Sequence, residues 1–265
     1  MDISQFLSYS EHSLKGKKAL VTGASSGFGL AIACRLAQEG VSLFLVARRN
    51  EKLSELRETL LKHFPNVSVT TTAGDVRDPA LIQTLEKCGA LDVDIVINNA
   101  GLARGLDPVS SANFTDWQEM IDTNVTAAFR ITHATLPRLI ARGGGHIVMM
   151  SSIASRESYE KGSVYCASKH ALNAFTKALR IETCDKNIRV SIVEPGLAET
   201  EFSKVRFSGD TSRAQSVYQG MTPLNAADIA HEVLFCLKQP PHVNIDEILV
   251  LPSAQGCATK VHRKN

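Results

Sequence analysis

Short apolar segments alternate with longer segments of helical periodicity over most of this chain. The apolar segments are residues 19–22, 41–47, 67–72, 94–98, 146–150, 188–193 and 247–251. The helical patterns are residues 27–39, 50–64, 79–88, 115–142, 164–184 and 226–238. Apolar strands separated by helices are typical of a parallel sheet that is covered on both sides. The sequence therefore predicts an α/β fold, a doubly wound (Rossmann) domain with a seven-stranded parallel sheet and helices on both faces.

The alternation runs without a break, which predicts a single domain. No linker rich in Pro, Gly or Ser interrupts it, and 265 residues are enough for one large α/β domain. We expect an N-terminal arm over residues 1–15, the Rossmann-type domain over 16–256 and a basic, solvated tail over 257–265. Residues 197–225 lack periodicity, and a loop of that length is typical of a lid.

Composition and charge exclude several classes of partner. Lys and Arg number 29 against 27 Asp and Glu, a net charge of +2, which argues against a nucleic-acid partner. No apolar run approaches the ~20 residues of a membrane-spanning helix, and the first residues lack the pattern of a secretory signal. The six cysteines are dispersed without metal-ligand spacing, so we expect no metal site and a reducing, cytoplasmic location.

Three glycines between the first strand and the first helix form a candidate phosphate-binding turn. Gly23, Gly27 and Gly29 follow the strand directly and open the helix. Glycine permits a tight turn and lets backbone N–H groups approach a phosphate at the positive end of a helix. The turn therefore predicts a dinucleotide site. The other predicted contacts in it are Ser25, Ser26 and Phe28.

The end of the second strand distinguishes between two cofactors. An Asp or Glu that binds the ribose 2′-hydroxyl of NAD is expected there, roughly 20 residues after the turn. Ala47 occupies that place and is followed by Arg48 and Arg49. Two guanidinium groups can bind a 2′-phosphate, and no carboxylate is present to repel it. The pattern favours NADP over NAD.

Tyr165 and Lys169 lie on one face of a predicted helix, since they are four positions apart. A neighbouring ammonium favours the phenolate, so we expect Lys169 to lower the pKa of Tyr165 toward the range useful for proton transfer. Ser152, Asn98–Gly101 and Pro195–Gly196 follow three other predicted strands. Because the carboxyl ends of parallel strands meet at one crevice, we expect these residues to form one site.

Together these motifs resemble the short-chain dehydrogenase/reductase family, over about residues 15–255. The resemblance implies an enzyme that transfers hydride reversibly between NADP(H) and a small hydroxyl or carbonyl compound. Tyr165 would be its acid/base, and Ser152, thirteen positions earlier, would hold and polarise the substrate oxygen. Lys169 would bind the nicotinamide ribose, and Asn124 would hold a water of the proton relay.

The resemblance also implies cofactor contacts in other loops. Asp75 matches the residue that contacts the adenine, and Val76 follows it. The remaining contacts that it implies are Asn99, Ala100, Gly101, Pro195, Gly196, Leu197, Ala198 and Thr200, together with Tyr165 and Lys169.

Within the family, several segments are similar to the NADP-dependent 3-hydroxy acid dehydrogenase branch, which acts on serine, allo-threonine and related acids. The chain departs from that branch at residues 155–161, beside the expected substrate pocket. A substrate carboxylate needs a cationic or hydrogen-bonding partner in a desolvated pocket. Arg104, Arg156 and Arg206 lie in loops that we expect to border the crevice. We expect Arg156, four positions after Ser152, to bind the carboxylate.

The sequence leaves two other functions open. One is a broad carbonyl or 3-oxoacyl reductase, and the other is a non-catalytic dinucleotide-sensing protein. The presence of both Tyr165 and Lys169 favours an enzyme over a sensor. Members of the family commonly pair the long helix and the tyrosine helix across a two-fold axis, so the resemblance also implies a homodimer or homotetramer.

Overall fold

Seven strands of the described chain pair in parallel into one sheet. The computed structural model describes Ile3 and residues 11–207 and 209–264. The strands are β1 (Lys18–Thr22), β2 (Ser42–Ala47), β3 (Val69–Ala73), β4 (Ile95–Asn98), β5 (Gly145–Met150), β6 (Ile188–Pro195) and β7 (Glu247–Val250). Their order is β3-β2-β1-β4-β5-β6-β7, so the chain changes direction between β1 and β4 and leaves a crevice at the carboxyl ends. The predicted doubly wound sheet is confirmed.

Helices connect the strands and cover both faces of the sheet. They are α1 (Gly27–Gln38), α2 (Asn50–His63), α3 (Leu81–Lys87), α4 (Phe114–Ile121), α5 (Ala127–Ala141), α6 (Ser163–Thr183), α7 (Glu201–Arg206), α8 (Thr211–Ser216) and α9 (Ala226–Leu237). None of the helices within the described ranges is both long enough and apolar enough to cross a bilayer.

Neighbouring residues of each strand face two different cores, because successive side chains of a strand point to opposite sides. On one side, Val21 packs in a buried cluster with Ile32 of α1, and helices α2 and α9 contribute to the same cluster. On the other side, Leu20 packs with Ile131 of α5, together with residues of α3 and α6. Burial on both faces explains why the strands are apolar along their whole length.

The helix predicted over residues 115–142 contains a π-helical turn in the structure. α4 ends at Ile121, and a π-helical turn over Asp122–Thr126 precedes α5. Such turns insert an extra residue into an α-helix and are frequent at functional sites. This turn carries Asn124, which is only 1% exposed. The predicted helix is therefore continuous over residues 114–141, and the π-helical turn within it is the feature that the sequence does not predict.

Residues 11–15 of the predicted N-terminal arm contact the main body of the fold. Leu14 is buried, and the backbone N–H of His12 donates to the carbonyl of Lys238. The rest of the predicted arm, residues 1–2 and 4–10, lies outside the described residues.

The C-terminal tail is docked, which corrects the prediction that it is solvated. The backbone N–H of His262 donates to Ala254, and that of Lys264 donates to Gly220. Arg263 donates to the carbonyls of Val217 and Gln219. The described part of the tail is therefore bound to the 197–225 segment. Asn265 lies outside the described residues, and so does Ser208 within that segment.

Candidate active site

One cavity of about 680 Å³ opens at the carboxyl ends of the central strands. It is bordered by the turns after β1, β2, β4, β5 and β6, by α6, by the 197–225 segment and by the C-terminal tail. The structure brings the predicted site residues to its wall, with five exceptions. The predicted residues that do not line it are Gly29, Asn98, Asn124, Arg104 and Arg156.

The glycine turn is packed against the end of β4, which explains two of its glycines. Gly23 has a positive φ of +68°, and a side chain there would collide with the Asn99 amide. A side chain on Gly29 would collide with the Gly23 carbonyl and with the same amide. The Asn99 Nδ2 atom donates to the Thr22 carbonyl at 2.8 Å. Gly29 therefore allows the turn to pack closely against Gly23 and Asn99, and it does not line the cavity.

Arg48 and Arg49 have different surroundings. Arg49 donates to the hydroxyls of Ser25 and Ser26 and pairs with Glu201. Arg48 lines the cavity and makes no hydrogen bond within the described part of the chain. An unpaired guanidinium beside a glycine turn fits the 2′-phosphate and the pyrophosphate of a dinucleotide.

Asp75 lies on the cavity wall after β3, in an ion pair with Arg77. The Arg77 Nη2 atom is 2.6 Å from Asp75 Oδ2. This hydrogen bond lowers the pKa of Asp75 below its ordinary value. The Asp75 carboxylate therefore stays ionised beside Val76, at the adenine end implied by the resemblance.

Ser152, Tyr165 and Lys169 converge in the middle of the cavity. Ser152 caps the 3-10 turn Ile153–Ser155, and its Oγ accepts from the Ala154 N–H. Lys169 is 5% exposed, its Nζ donates to the Met150 carbonyl at 3.1 Å, and it lies 5.8 Å from the centre of the Tyr165 ring. Burial lowers the pKa of Lys169 to about 8.

The pKa of Tyr165 is raised, not lowered as the spacing to Lys169 predicts. Burial is the largest cause and the nearby Tyr159 is the next, while a hydrogen bond with Ser152 and the charge of Arg206 oppose them. Helical spacing identifies the neighbouring cation, but it does not reveal how deeply the phenol is buried. The phenol is therefore protonated at neutral pH.

Asn124 holds two segments together behind the cavity. Its Oδ1 accepts from the Leu102 N–H at 2.8 Å, and its Nδ2 donates to the Leu102 carbonyl and to Ser168 Oγ. A Cβ on Gly101 would lie 3.3 Å from Asn124 Oδ1 and 3.5 Å from Lys169 Nζ. Asn124 and Lys169 thus flank the same glycine, and the role of Asn124 in a water relay stays a prediction.

The loop after β6 is anchored from the C-terminal side. The Gly196 N–H donates to the Val250 carbonyl, and the Leu197 N–H donates to Gln255 Oε1 at 2.8 Å. Thr200 caps α7 by accepting from the Phe202 N–H. These bonds fix the stretch from Pro195 to Thr200 along the cavity wall.

Arg156 does not face the cavity, which corrects its choice as the carboxylate-binding residue. The short turn after Ser152 directs its guanidinium to the buried carboxylate of Glu194, at 2.5 Å, and to Glu247. A buried carboxylate requires a partner, since leaving it unpaired is strongly destabilising. The charge of Arg156 is therefore occupied within the fold.

The other two arginines are also distinguished by their contacts. Arg104 makes a two-pronged pair with Glu119, at 2.6 and 3.2 Å, and donates to the Val205 carbonyl. Arg206 lines the cavity, donates to the Tyr159 hydroxyl and lies 5.6 Å from the centre of the Tyr165 ring. Of the three, Arg206 is the one that lines the cavity, and we call the part of the wall formed by Tyr159, Tyr165 and Arg206 the substrate end.

Sequence reasoning missed several residues of the cavity wall. Tyr159 and Phe202 flank Tyr165, and Phe202 lies 5.7 Å from its ring centre. Ala258 and Thr259 reach the wall from the tail, where the Ala258 N–H donates to Glu157. Only Tyr159 carried a usable signal, since it is an aromatic residue six positions before Tyr165.

Comparison with known proteins gives consistent matches across the chain. The short chain dehydrogenase family profile matches residues 17–210. The NADP-dependent 3-hydroxy acid dehydrogenase of Schizosaccharomyces pombe is 46% identical over 95% of this chain and 98% of that protein. Sulfoacetaldehyde reductase 2 of Chromohalobacter salexigens is 42% identical over 89% of this chain and 94% of that protein.

A solved structure agrees with these sequence matches. The closed form of serine dehydrogenase complexed with NADP+ superposes with a TM-score of 0.85 at 38% identity, over 93% of this chain and all of that chain. The family profile, the relatives and the site described above lead to one conclusion. The chain belongs to the short-chain dehydrogenase family and is an NADP-dependent oxidoreductase that acts on a small hydroxyl compound.

Proposed function

We propose that this oxidoreductase interconverts a small 3-hydroxy acid and the corresponding oxo compound, and that Arg206 binds the substrate carboxylate. The position of the Arg206 guanidinium carries the proposal, since it lines the cavity 5.6 Å from the centre of the Tyr165 ring. Its hydrogen bonds go to the neutral Tyr159 hydroxyl and the Gly105 carbonyl, not to a carboxylate. Its charge is therefore available to an anionic substrate.

The chemistry requires one proton and one hydride to move in each direction. When bound, NADP⁺ supplies the hydride acceptor for oxidation and NADPH supplies the donor for reduction. Ser152 would hold the reacting oxygen by a hydrogen bond, and Tyr165 would exchange a proton with that oxygen. Because its pKa is raised, the Tyr165 phenol carries the proton that reduction needs at neutral pH.

Lys169 and Asn124 would support this proton transfer. Lys169 is buried with its Nζ near the Met150 carbonyl. In its protonated form, its ammonium would stabilise a developing phenolate. Asn124 fixes Leu102 and Ser168, and Ser168 in turn donates to the Tyr165 carbonyl. In this way Asn124 would position the tyrosine turn of α6 as well as a relay water.

The relatives support an anionic substrate without specifying it. The names of the two sequence relatives describe enzymes of a 3-hydroxy acid and of sulfoacetaldehyde. A carboxylate and a sulfonate are both acceptors for a guanidinium, so Arg206 would serve either anion.

A matched pair of substrates tests the proposal. Steady-state oxidation with NADP⁺ is compared for a 3-hydroxy acid and for its primary amide, which has nearly the same size without the charge. Losing one charge-assisted contact in Arg206→Ala should lower kcat/KM for the acid by about 10–100-fold and leave the amide little changed.

Lys204→Ala serves as the control for this experiment, because Lys204 lies in the same 197–225 segment, is exposed and does not line the cavity. Equal losses on acid and amide in Arg206→Ala would contradict the assignment. If the unchanged enzyme uses neither acid nor sulfonate but reduces uncharged ketones or 3-oxoacyl thioesters, it is a broad carbonyl reductase instead.

We further propose a homodimer or homotetramer in a reducing, cytoplasmic compartment, without a nucleic-acid partner. Phe129 of α5 and Phe175 of α6 stack at 4.1 Å, and Ile181 near the end of α6 is 76% exposed. An apolar helix face of this kind supports pairing of α5 and α6 with a second copy. Light scattering at micromolar concentration tests it, and a monomeric mass would reject it.

A further inference from the structure

Arg49 connects the two walls of the cofactor end of the cavity. Its Nε is 3.2 Å from Ser25 Oγ and its Nη2 is 2.8 Å from Ser26 Oγ, both in the glycine turn. Its Nη1 is 2.8 Å from Glu201 Oε2 at the first residue of α7. One guanidinium thus joins the phosphate-binding turn to the 197–225 segment.

Lys52 strengthens the same connection from α2. Its Nζ is 2.9 Å from Glu201 Oε1, so each oxygen of the carboxylate has its own cation. Glu201, Arg49 and the glycine turn all line the cavity. We call the group Arg49, Lys52 and Glu201 the strap.

The neighbouring Arg48, unlike Arg49, has no hydrogen-bond partner among the described residues. It lines the cavity beside the strap. A 2′-phosphate can therefore bind Arg48 without breaking a hydrogen bond to any described residue. Binding through Arg49 would instead compete with its bonds to Glu201 and the two serines.

We propose that Arg48 and Arg49 have different roles in binding the cofactor. Arg48 binds the 2′-phosphate, whereas the strap, to which Arg49 belongs, retains the cofactor without contacting the 2′-phosphate. Arg48 selects NADP(H) over NAD(H). Arg49, Lys52 and Glu201 hold the 197–225 segment against the glycine turn, across the dinucleotide that lies between them. Glu201 is thus a cofactor-retaining residue, although it is a carboxylate in a site for a phosphorylated ligand.

The two cations also determine the charge state of Glu201. Its hydrogen bond with Lys52 is the largest cause of a pKa lowered to about 2. The carboxylate therefore remains charged over the whole range in which the enzyme can be assayed. The side chains are about two-fifths exposed, so the contribution to binding is modest.

Binding of NADPH and NADH to the enzyme without substrate tests the proposal. Affinity is measured by nicotinamide fluorescence, and the dissociation rate by stopped-flow displacement, for the wild type and for Glu201→Gln. We expect both cofactors to bind about two- to five-fold more weakly, with faster dissociation, because the proposal assigns the strap no contact with the 2′-phosphate or the 2′-hydroxyl. High salt should reduce the difference.

Three further variants keep the test decisive. Glu199→Gln removes an exposed carboxylate two residues away that does not line the cavity, and it should change neither cofactor. Arg48→Ala should weaken NADPH and leave NADH nearly unchanged. In a double-mutant cycle, Arg49→Ala and Glu201→Gln together should cost less than the sum of their separate losses, since both remove the Arg49–Glu201 contact.

Two results would overturn the proposal. If Glu201→Gln tightens NADPH and leaves NADH unchanged, Glu201 competes with the 2′-phosphate for Arg49. If neither cofactor responds to the variant, the strap plays no part in retention. Both results concern binding alone, so neither affects the proposed 3-hydroxy acid activity.

Discussion

The cofactor end and the substrate end of the cavity are built in different ways. At the cofactor end, the turns after β1 and β4 are packed so closely that Gly23 and Gly29 have no room for a side chain. At the substrate end, Tyr159, Arg206 and Ala258 come from three separate segments, none of which is a strand end.

The difference lies in what holds each end in place. Close backbone packing fixes the glycine turn of the cofactor end, and most parts of this end follow directly after buried strands. Side-chain contacts fix the substrate end, such as the bond from Arg206 to Tyr159 and the bonds from Arg263 to the 197–225 segment. A small change of sequence can therefore alter the substrate more readily than the cofactor.

Replacing Tyr165 by Phe gives the largest expected effect, because Tyr165 is at the boundary between the two ends. The ring remains and the transferable proton is lost, so kcat should fall by about 10²–10⁴-fold. NADPH affinity should be preserved if the cofactor end is independent of the substrate end. Turnover is followed by NADPH absorbance, and affinity by fluorescence titration. Near-normal turnover would show that another group is the acid.

Arg48→Asp addresses the cofactor end alone. The unpaired guanidinium is replaced by a carboxylate that repels a 2′-phosphate, so the ratio of kcat/KM for NADP⁺ over NAD⁺ should fall by about 10–100-fold. The KM for the hydroxy acid should stay within a factor of about two if the ends are separate. A large change in that KM would show that the ends are coupled.

Arg263→Ala addresses the substrate end and has the smallest expected effect. It removes two hydrogen bonds to the carbonyls of Val217 and Gln219 at an exposed site. We expect KM for the hydroxy acid to rise about two- to three-fold, with unchanged NADPH affinity. Lys260→Ala is the control, as its side chain is exposed on the same tail. A loss of NADPH affinity would mean that the tail also supports the cofactor end.

The sequence placed the residues of the cofactor end on the cavity wall more accurately than those of the substrate end. When glycines or Arg48 follow an apolar strand directly, the sequence predicts where in the fold they lie, because the strand ends of a parallel sheet meet at one edge. Arg156 lacked such a constraint. Its distance of four positions from Ser152 did not reveal that the chain turns toward the buried Glu194.

Two other errors have the same origin. The pKa of Tyr165 depends on burial by residues such as Tyr159, which helical spacing does not report. The docking of the tail depends on hydrogen bonds to backbone carbonyls of residues 217–220, more than thirty positions upstream. In both cases the decisive partner is remote in sequence and carries no local pattern.

The docked tail has a consequence for how the enzyme is made. Synthesis runs from the N-terminus, so β1, β2 and the glycine turn exist long before Ala258 and Arg263 have been added. The phosphate-binding turn can thus form while the substrate side of the cavity is still open. The loop from Pro195 to Thr200 and the substrate wall are completed only at the end, when Val250, Gln255 and Ala258 have been added.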